Sequence, residues 1–305
     1  MDAHTELTER LLKENQKARK WNTTVKLLFL VYLVVVTLGV FSSMNGVKGG
    51  AAEKPHTALV PIKGVIKDGG EVSANQVVGP LRDAFKAEQA KAIVLAINSP
   101  GGSPVQAGYI YDEIKRLKAL HPEKTVYAVI SDVGASGGYY IAAAADQIYA
   151  NRASLVGSIG VTASGFGFVD LIDKLGVERR TYTSGDHKNF LDPFLDARAD
   201  EQEFWSGVLS GVHQQFKQVV VESRGDRIDA EDAQLFSGLI WNGEQALELG
   251  LIDALGSAGY VAREIVGEED IVSYAPRKPL LEQLTKGLGT SLSLWLDREA
   301  EVSLR

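Results

Sequence analysis

Short apolar runs alternate with amphipathic stretches along most of this chain. Ala58 to Ile66, Ala92 to Asn98 and Val126 to Ser131 are brief and rich in Val, Ile and Leu, which predicts strands. Asn75 to Gln89, Val105 to Leu120 and Ser136 to Ala145 instead space their apolar residues as helices do. A repeated β-α-β order predicts a largely parallel sheet with right-handed crossovers, an α/β domain. Beyond it the pattern predicts a strand over Arg179 to Thr183, a long helix over Ala199 to Ser223, and shorter helices over Gly243 to Leu249 and Ser257 to Ile265.

The N-terminal part follows neither rhythm. Between Lys26 and Lys48 lie 21 residues without a charge, centred on the run Leu27 to Val36. A stretch of that length can cross a bilayer core of roughly 30 Å. The alternative is a cleaved secretory signal, but the apolar run is long for one and no A-x-A site follows in Ser42 to Gly50. Lys13, Lys17, Arg19, Lys20 and Lys26 crowd the N-terminal flank, so the positive-inside rule puts that end in the cytoplasm and the body of the chain outside it. The expected organisation is a basic cytoplasmic tail (1–26), a transmembrane anchor (27–47), a Gly- and Ala-rich linker (48–56), a main folded domain (57–276) and a C-terminal tail (277–305). In that tail Leu280, Leu281, Leu284, Leu288, Leu292 and Trp295 predict an amphipathic helix, which suits packing on its own domain or a neighbouring subunit better than a membrane surface.

Composition narrows the function. The chain has 305 residues, 45% hydrophobic and 23% charged, enough to bury a full core. Its formal charge is −7, and the first 26 residues are net basic, so the remainder is more acidic still, which argues against nucleic acid as a partner. The absence of cysteine excludes thiol nucleophiles, zinc ribbons and disulfide scaffolds. Nothing implies a metal or an organic cofactor.

Two glycine-rich strand ends carry the candidate chemistry. Asn98-Ser99-Pro100-Gly101-Gly102-Ser103 follows one apolar run and precedes a helix, where backbone N–H groups can face a negative oxygen; an ordinary tight turn is the plain alternative. Gly134-Ala135-Ser136-Gly137-Gly138-Tyr139-Tyr140 surrounds a serine with small residues at a strand-to-helix turn, exposing its hydroxyl as a nucleophile elbow does; equally, Ser136 could be a helix N-cap. A base is needed to decide. Of the five histidines, His4 lies on the wrong side of the anchor, His56 in the linker, His121 in a turn, and His213 on a helix that reads as surface-facing. His187 and Lys188 remain, adjacent in the loop Ser184 to Asn189. A lysine can deprotonate a serine only when neutral, which requires a site that lowers an ordinary value of about 10.4 at a cost of about 4 kcal/mol, as burial among apolar groups can. A His187 triad oriented by Asp186 or Asp192 is the other possibility.

Together with Val156-Gly157-Ser158-Ile159-Gly160-Val161 and Gly185-Asp186-His187-Lys188, these blocks resemble the short, single-domain form of bacterial signal peptide peptidase A, in the family's order and over roughly Thr57 to Tyr274. The resemblance implies the Clp protease/crotonase-like fold, a twisted β-α-β spiral. It implies Ser136 as nucleophile, Lys188 as general base and Ser158 as the helper that hydrogen-bonds the lysine, with the oxyanion held by N–H groups from Gly101 or Gly102 and from Gly137. It further implies a ring-shaped homo-oligomer in a bacterial inner membrane, serine and lysine coming from neighbouring subunits, and hydrophobic peptides such as remnant signal peptides as substrates. A quality-control peptidase of the same superfamily, a crotonase-like acyl-CoA enzyme and a catalytically dead scaffold are the alternatives.

Overall fold

The computed structural model describes residues 19–21, 23–37 and 54–276, and the chain divides into two units, Met1–Lys54 and Pro55–Arg305. In the first unit, helix α1 (Arg19–Thr37) has a mean hydropathy of 1.3 over its most apolar window and is long and apolar enough to cross a membrane. Its large apolar side chains, from Leu27 to Val36, all stand exposed. The hydroxyls of Thr23, Thr24 and Thr37 donate to carbonyls four residues back, so these polar groups are satisfied within the helix itself. The expected anchor beyond residue 37, most of the linker and the amphipathic tail from 277 lie outside the described residues.

The second unit is built on three long parallel strands, β1 (His56–Lys63), β2 (Ala90–Ser99) and β3 (Val126–Ala135), connected through helices α2 (Ala74–Lys86) and α3 (Pro104–Leu120). One sheet face presents Ala58, Val60 and Ile62 of β1, Ile93, Leu95 and Ile97 of β2, and Val126, Ala128 and Ile130 of β3 to the apolar sides of α2 and α3. Each such large side chain, fully buried, contributes about 1.5–3 kcal/mol relative to exposure. On the opposite face Val94 and Val129 pack with Tyr149 and Val261. Because β2 buries both faces, its residues are apolar without alternation.

Helices α2 and α3 are also tied by charge. Glu113 accepts from Arg82 Nε at 2.6 Å and from Arg116 Nε and Nη2 at 2.8 and 2.7 Å. Hydrogen bonds from the Arg116 guanidinium, with Arg82 adding to them, hold its carboxyl at about 2. At the C-terminal end of α2, the buried Lys124 Nζ donates to the carbonyls of Phe85 and Ala87, where the helix leaves acceptors unpaired.

The chain continues through α4 (Gly137–Ala142), β4 (Gln147–Ala150), β5 (Leu155–Gly157), α5 (Val169–Lys174), α6 (Ala199–Arg224), β6 (Ile240–Asn242), α7 (Gly243–Glu248), β7 (Ala254–Leu255) and α8 (Ala258–Tyr260). A π-helical turn (Val261–Val266) and β8 (Ile271–Ser273) follow. The sheet runs β6-β5-β3-β2-β1-β8, with β4 and β7 off this path and β5–β6 its antiparallel pair. Strand β3 is shared: Tyr127 to Ile130 pair with β4, whereas Val133 to Ala135 pair with β5. The sheet therefore splits along β3, and the C-terminal ends of parallel strands are where ligands enter α/β sheets. This mixed α/β sheet fits the Clp protease-like fold expected from the sequence.

Three expectations change. Arg179 to Thr183 form no strand; their side chains are exposed and Arg179 is drawn instead to Asp192 at 2.9 Å and over the Phe194 ring. His56 is not linker but the first residue of β1, fully buried, with Nε2 3.0 Å from the Tyr274 hydroxyl. Finally, His213 is half-buried on α6 rather than surface-facing.

Candidate active site

Strand β3 ends in Gly134 and Ala135, both buried, and delivers Ser136 at the head of α4. Ser136 sits at φ 50° and ψ −123°, a left-handed conformation that costs a non-glycine residue of order 1–3 kcal/mol. It is held there from both sides: its N–H donates to the Gly157 carbonyl at 2.8 Å, and its carbonyl accepts from Tyr140 N–H at 2.9 Å. The hydroxyl makes no capping hydrogen bond to the helix. The N-cap alternative therefore loses its support, and the serine has the strained backbone of a nucleophile elbow, with no hydrogen bond from its hydroxyl among the described residues.

The Asn98 to Ser103 turn lies directly against it. A Cβ on Gly101, at φ 97°, would meet Ser136 Cβ at 2.7 Å and Gly137 N at 2.8 Å; one on Gly102, at φ 143°, would meet the Ile66 carbonyl oxygen at 2.0 Å. Glycine is required at both places for steric and conformational reasons together. The turn is fixed by Ile66 N–H donating to Gly101 O, Ser103 N–H to Ile66 O, and Gly101 N–H to the buried Ser99 hydroxyl at 3.2 Å. None of these bonds uses the Gly102 N–H. Gly137, first residue of α4, likewise has an N–H with no place in the helix ladder. The sequence left Gly101 and Gly102 open as donors; the Gly101 N–H is engaged with Ser99, and the Gly102 N–H takes no part in the bonds that fix the turn.

A cavity of about 810 Å³ opens over this turn, lined among others by Gly102, Ser136, Gly137, Ser158, His213 and Phe216. Ser158, like Ser136, has a positive φ, 51°. Strand β5 carries it there, and Gly157 just before it has no room for a side chain because Trp241 lies 2.7 Å from the place a Cβ would take. The apolar walls come from Ala107, Val161, Val212, Phe216 and Phe236, and would receive an apolar side chain. Among the described residues, no group of three His, Asp or Glu side chains comes together as a metal site would need.

Lys188 is not part of this cavity. It is exposed, in the Gly185 to Asn189 loop, its N–H donating to the Gly185 carbonyl at 3.2 Å. His187 does not line the cavity either; its Nδ1 lies 3.6 Å from Glu201, at the start of α6. Asp192, considered as an orienter for His187, is taken up by the Phe194 N–H and by Arg179, which in that order hold its carboxyl below the usual range. The structure thus brings Ser136, Ser158, Gly102 and Gly137 together within one protomer and leaves both candidate bases elsewhere on it.

His213 was missed from the sequence. Its position three residues before buried Phe216 and seven before buried Val220 places it on the inward face of α6, a signal present in the spacing.

The profile of peptidase family S49 matches residues 118–271, and that of Clp protease matches residues 62–161. The chain belongs to peptidase family S49. Among its S49 relatives it is 32% identical over 215 residues to a putative signal peptide peptidase SppA of Enterococcus faecium, covering 68% of this chain and 61% of that one. It is 30% identical over 233 residues to a probable protease SohB of Buchnera aphidicola, covering 73% of this chain and 67% of the relative. It is also 40% identical over 237 residues to a Brucella melitensis protein named Na(+)/H(+) antiporter NhaA, but this match, 76% of the present chain, covers 32% of the relative. The chain thus spans about a third of the antiporter-named protein and about three fifths of the Enterococcus one.

Proposed function

We propose that this S49 chain is a membrane-anchored serine endopeptidase that degrades cleaved signal peptides and similar hydrophobic segments, with Ser136 as nucleophile and Lys188 of an adjacent protomer as general base. The observation that carries the reading is Ser136, held at a positive φ with no capping bond from its hydroxyl, in a cavity lined also by Gly102 and Gly137. The position of Lys188 outside its own protomer's cavity fits a site completed in a ring-shaped homo-oligomer.

In this mechanism the Lys188 amine takes the proton from Ser136 Oγ as the oxygen attacks the scissile carbonyl carbon. The Gly102 and Gly137 N–H groups receive the charge developing on the carbonyl oxygen, with no reorganisation required at the moment of reaction. The C–N bond breaks, the amine product leaves with the proton returned by the lysine, and an ester on Ser136 remains. Water, deprotonated by the same amine, then cleaves the ester and restores the serine. Ser158 hydrogen-bonds the lysine and fixes its direction. Anchoring through residues 27–47, with the N-terminus cytoplasmic and the peptidase domain outside the bacterial inner membrane, places the site where hydrophobic remnants are released.

The test is hydrolysis of a synthetic leader-like hydrophobic peptide by the full chain in detergent, with products read by mass spectrometry. Internal cleavage by the assembled protein is expected, with acyl-CoA neither bound nor turned over. Acyl-CoA turnover without peptide cleavage would contradict the proposal and favour a crotonase-like activity.

A further inference from the structure

The segment that carries Ser158 is held at each end by a different partner. Before it, the Gly157 carbonyl accepts from the Ser136 N–H at 2.8 Å, so the two serines are joined through one backbone bond. At Ser158 itself, the N–H donates to the Leu239 carbonyl at 2.7 Å. After it, the Ile159 carbonyl lies 3.2 Å from His213 Nε2 of α6. A carbonyl only accepts, so this contact requires the hydrogen on Nε2. Ser158 stands between these ties at φ 51°, a conformation a non-glycine residue keeps only where its surroundings enforce it. The Ile159 side chain is fully buried and the His213 ring lines the same cavity as both serines.

We propose that His213 is a positioning residue for Ser158: its Nε2–H holds the Ile159 carbonyl, and that bond keeps the strained turn, and with it the Ser158 hydroxyl, aimed into the cavity. The inference rests on the helper role proposed above for Ser158. His213 itself neither attacks nor carries a proton in the reaction. Its action is geometric, and misplacing a group at a reacting centre by about 1 Å can cost on the order of a hundredfold in rate. Glutamine can offer an amide N–H at a reach similar to that of Nε2, whereas leucine fills the space and offers none.

The experiment measures steady-state peptide hydrolysis by the full chain in detergent for His213→Leu, His213→Gln, Ser158→Ala and the His213→Leu/Ser158→Ala pair. The expected result is a fall in kcat of about 10- to 100-fold for His213→Leu with KM changed less than about twofold, and recovery of most of that loss in His213→Gln. In the Ser158→Ala background, His213→Leu is expected to add less than about twofold, because residues acting through one another are not additive. A rise in KM alone, an equal loss in the Leu and Gln variants, or full additivity with Ser158→Ala would overturn the positioning role while leaving the peptidase reading intact. A Ser158→Ala variant with undiminished kcat would instead remove the helper assignment, and this inference with it.

Discussion

Protomers carrying Ser136→Ala and protomers carrying Lys188→Ala are each expected to lose peptide hydrolysis by about a thousandfold or more, since nucleophile and base act as a unit. Mixed under conditions that allow subunits to exchange, the two dead proteins are expected to recover activity. The physical reason is the separation seen in the fold. Ser136 faces a cavity walled by its own protomer, and Lys188 is exposed on a loop outside that cavity. If a site takes its serine from one subunit and its lysine from the next, random mixing leaves roughly a quarter of sites with both groups intact in a closed ring of head-to-tail contacts. Recovered hydrolysis is measured against wild type after verifying by light scattering that every preparation assembles alike. A mixture as inactive as its components, in an oligomer of normal size, would contradict the shared site.

The largest stability effect is expected at Asp253. Its carboxylate accepts from Arg224 Nη1 and Nη2, each at 2.9 Å, from Arg227 Nη1 at 2.8 Å, and from the Ile148 N–H at 2.7 Å. Arg224 ends α6 with a side chain only 1% exposed, and its Nε donates to the Gly250 carbonyl. Asp253→Ala would leave that guanidinium buried without its counter-charge, a change that costs about 3–5 kcal/mol. Burial acts to raise the Asp253 carboxyl, but hydrogen bonds from Arg224, Arg227 and Ile148 outweigh it and leave the group below its ordinary value. A carboxyl depressed by folding contributes stability above its unfolded value, near pH 4, and loses it as pH falls through the folded one. The gap between wild type and Asp253→Ala in urea denaturation is therefore expected to be wide at pH 7 and narrower at pH 3. A difference below about 1 kcal/mol at pH 7 would show that Arg224 finds another partner or reaches water. Because α6 also carries His213 and Phe216 into the cavity wall, the variant is expected to lose activity at temperatures below its unfolding midpoint.

Much of the scaffold was legible in the sequence because it rests on local periodicity. The helices α2, α3 and the 26-residue α6 hold enough apolar positions to declare their period, and the three long strands declare themselves as short runs rich in β-branched residues. Strands β4 to β8 have two to four residues each, too few to show alternation, and exist because β3, β1 and one another offer edges to pair with. Arg179 to Thr183 show the opposite error: a β-favouring composition with no strand beside it to accept its hydrogen bonds.

At the site, the two glycine blocks lie against each other, and glycines without room for a Cβ mark such close backbone approach. Sequence could not tell the Gly101 and Gly102 N–H groups apart, because their difference lies in a bond to the Ser99 hydroxyl. It also undervalued His213, whose partner, the Ile159 carbonyl, lies 54 residues away along the chain. Nor could any single chain show where Lys188 acts if its serine belongs to another subunit.

The claim on which the rest depends is that Ser136 Oγ is a nucleophile activated by the Lys188 amine. Treating the assembled full chain with a fluorophosphonate probe and mapping the adduct by mass spectrometry tests it most directly. The account predicts a single adduct on Ser136, formed at least a hundredfold more slowly, in order of magnitude, in Lys188→Ala and undiminished in His187→Ala. An adduct on a different serine, or labelling of Ser136 that survives Lys188→Ala and disappears in His187→Ala, would contradict it.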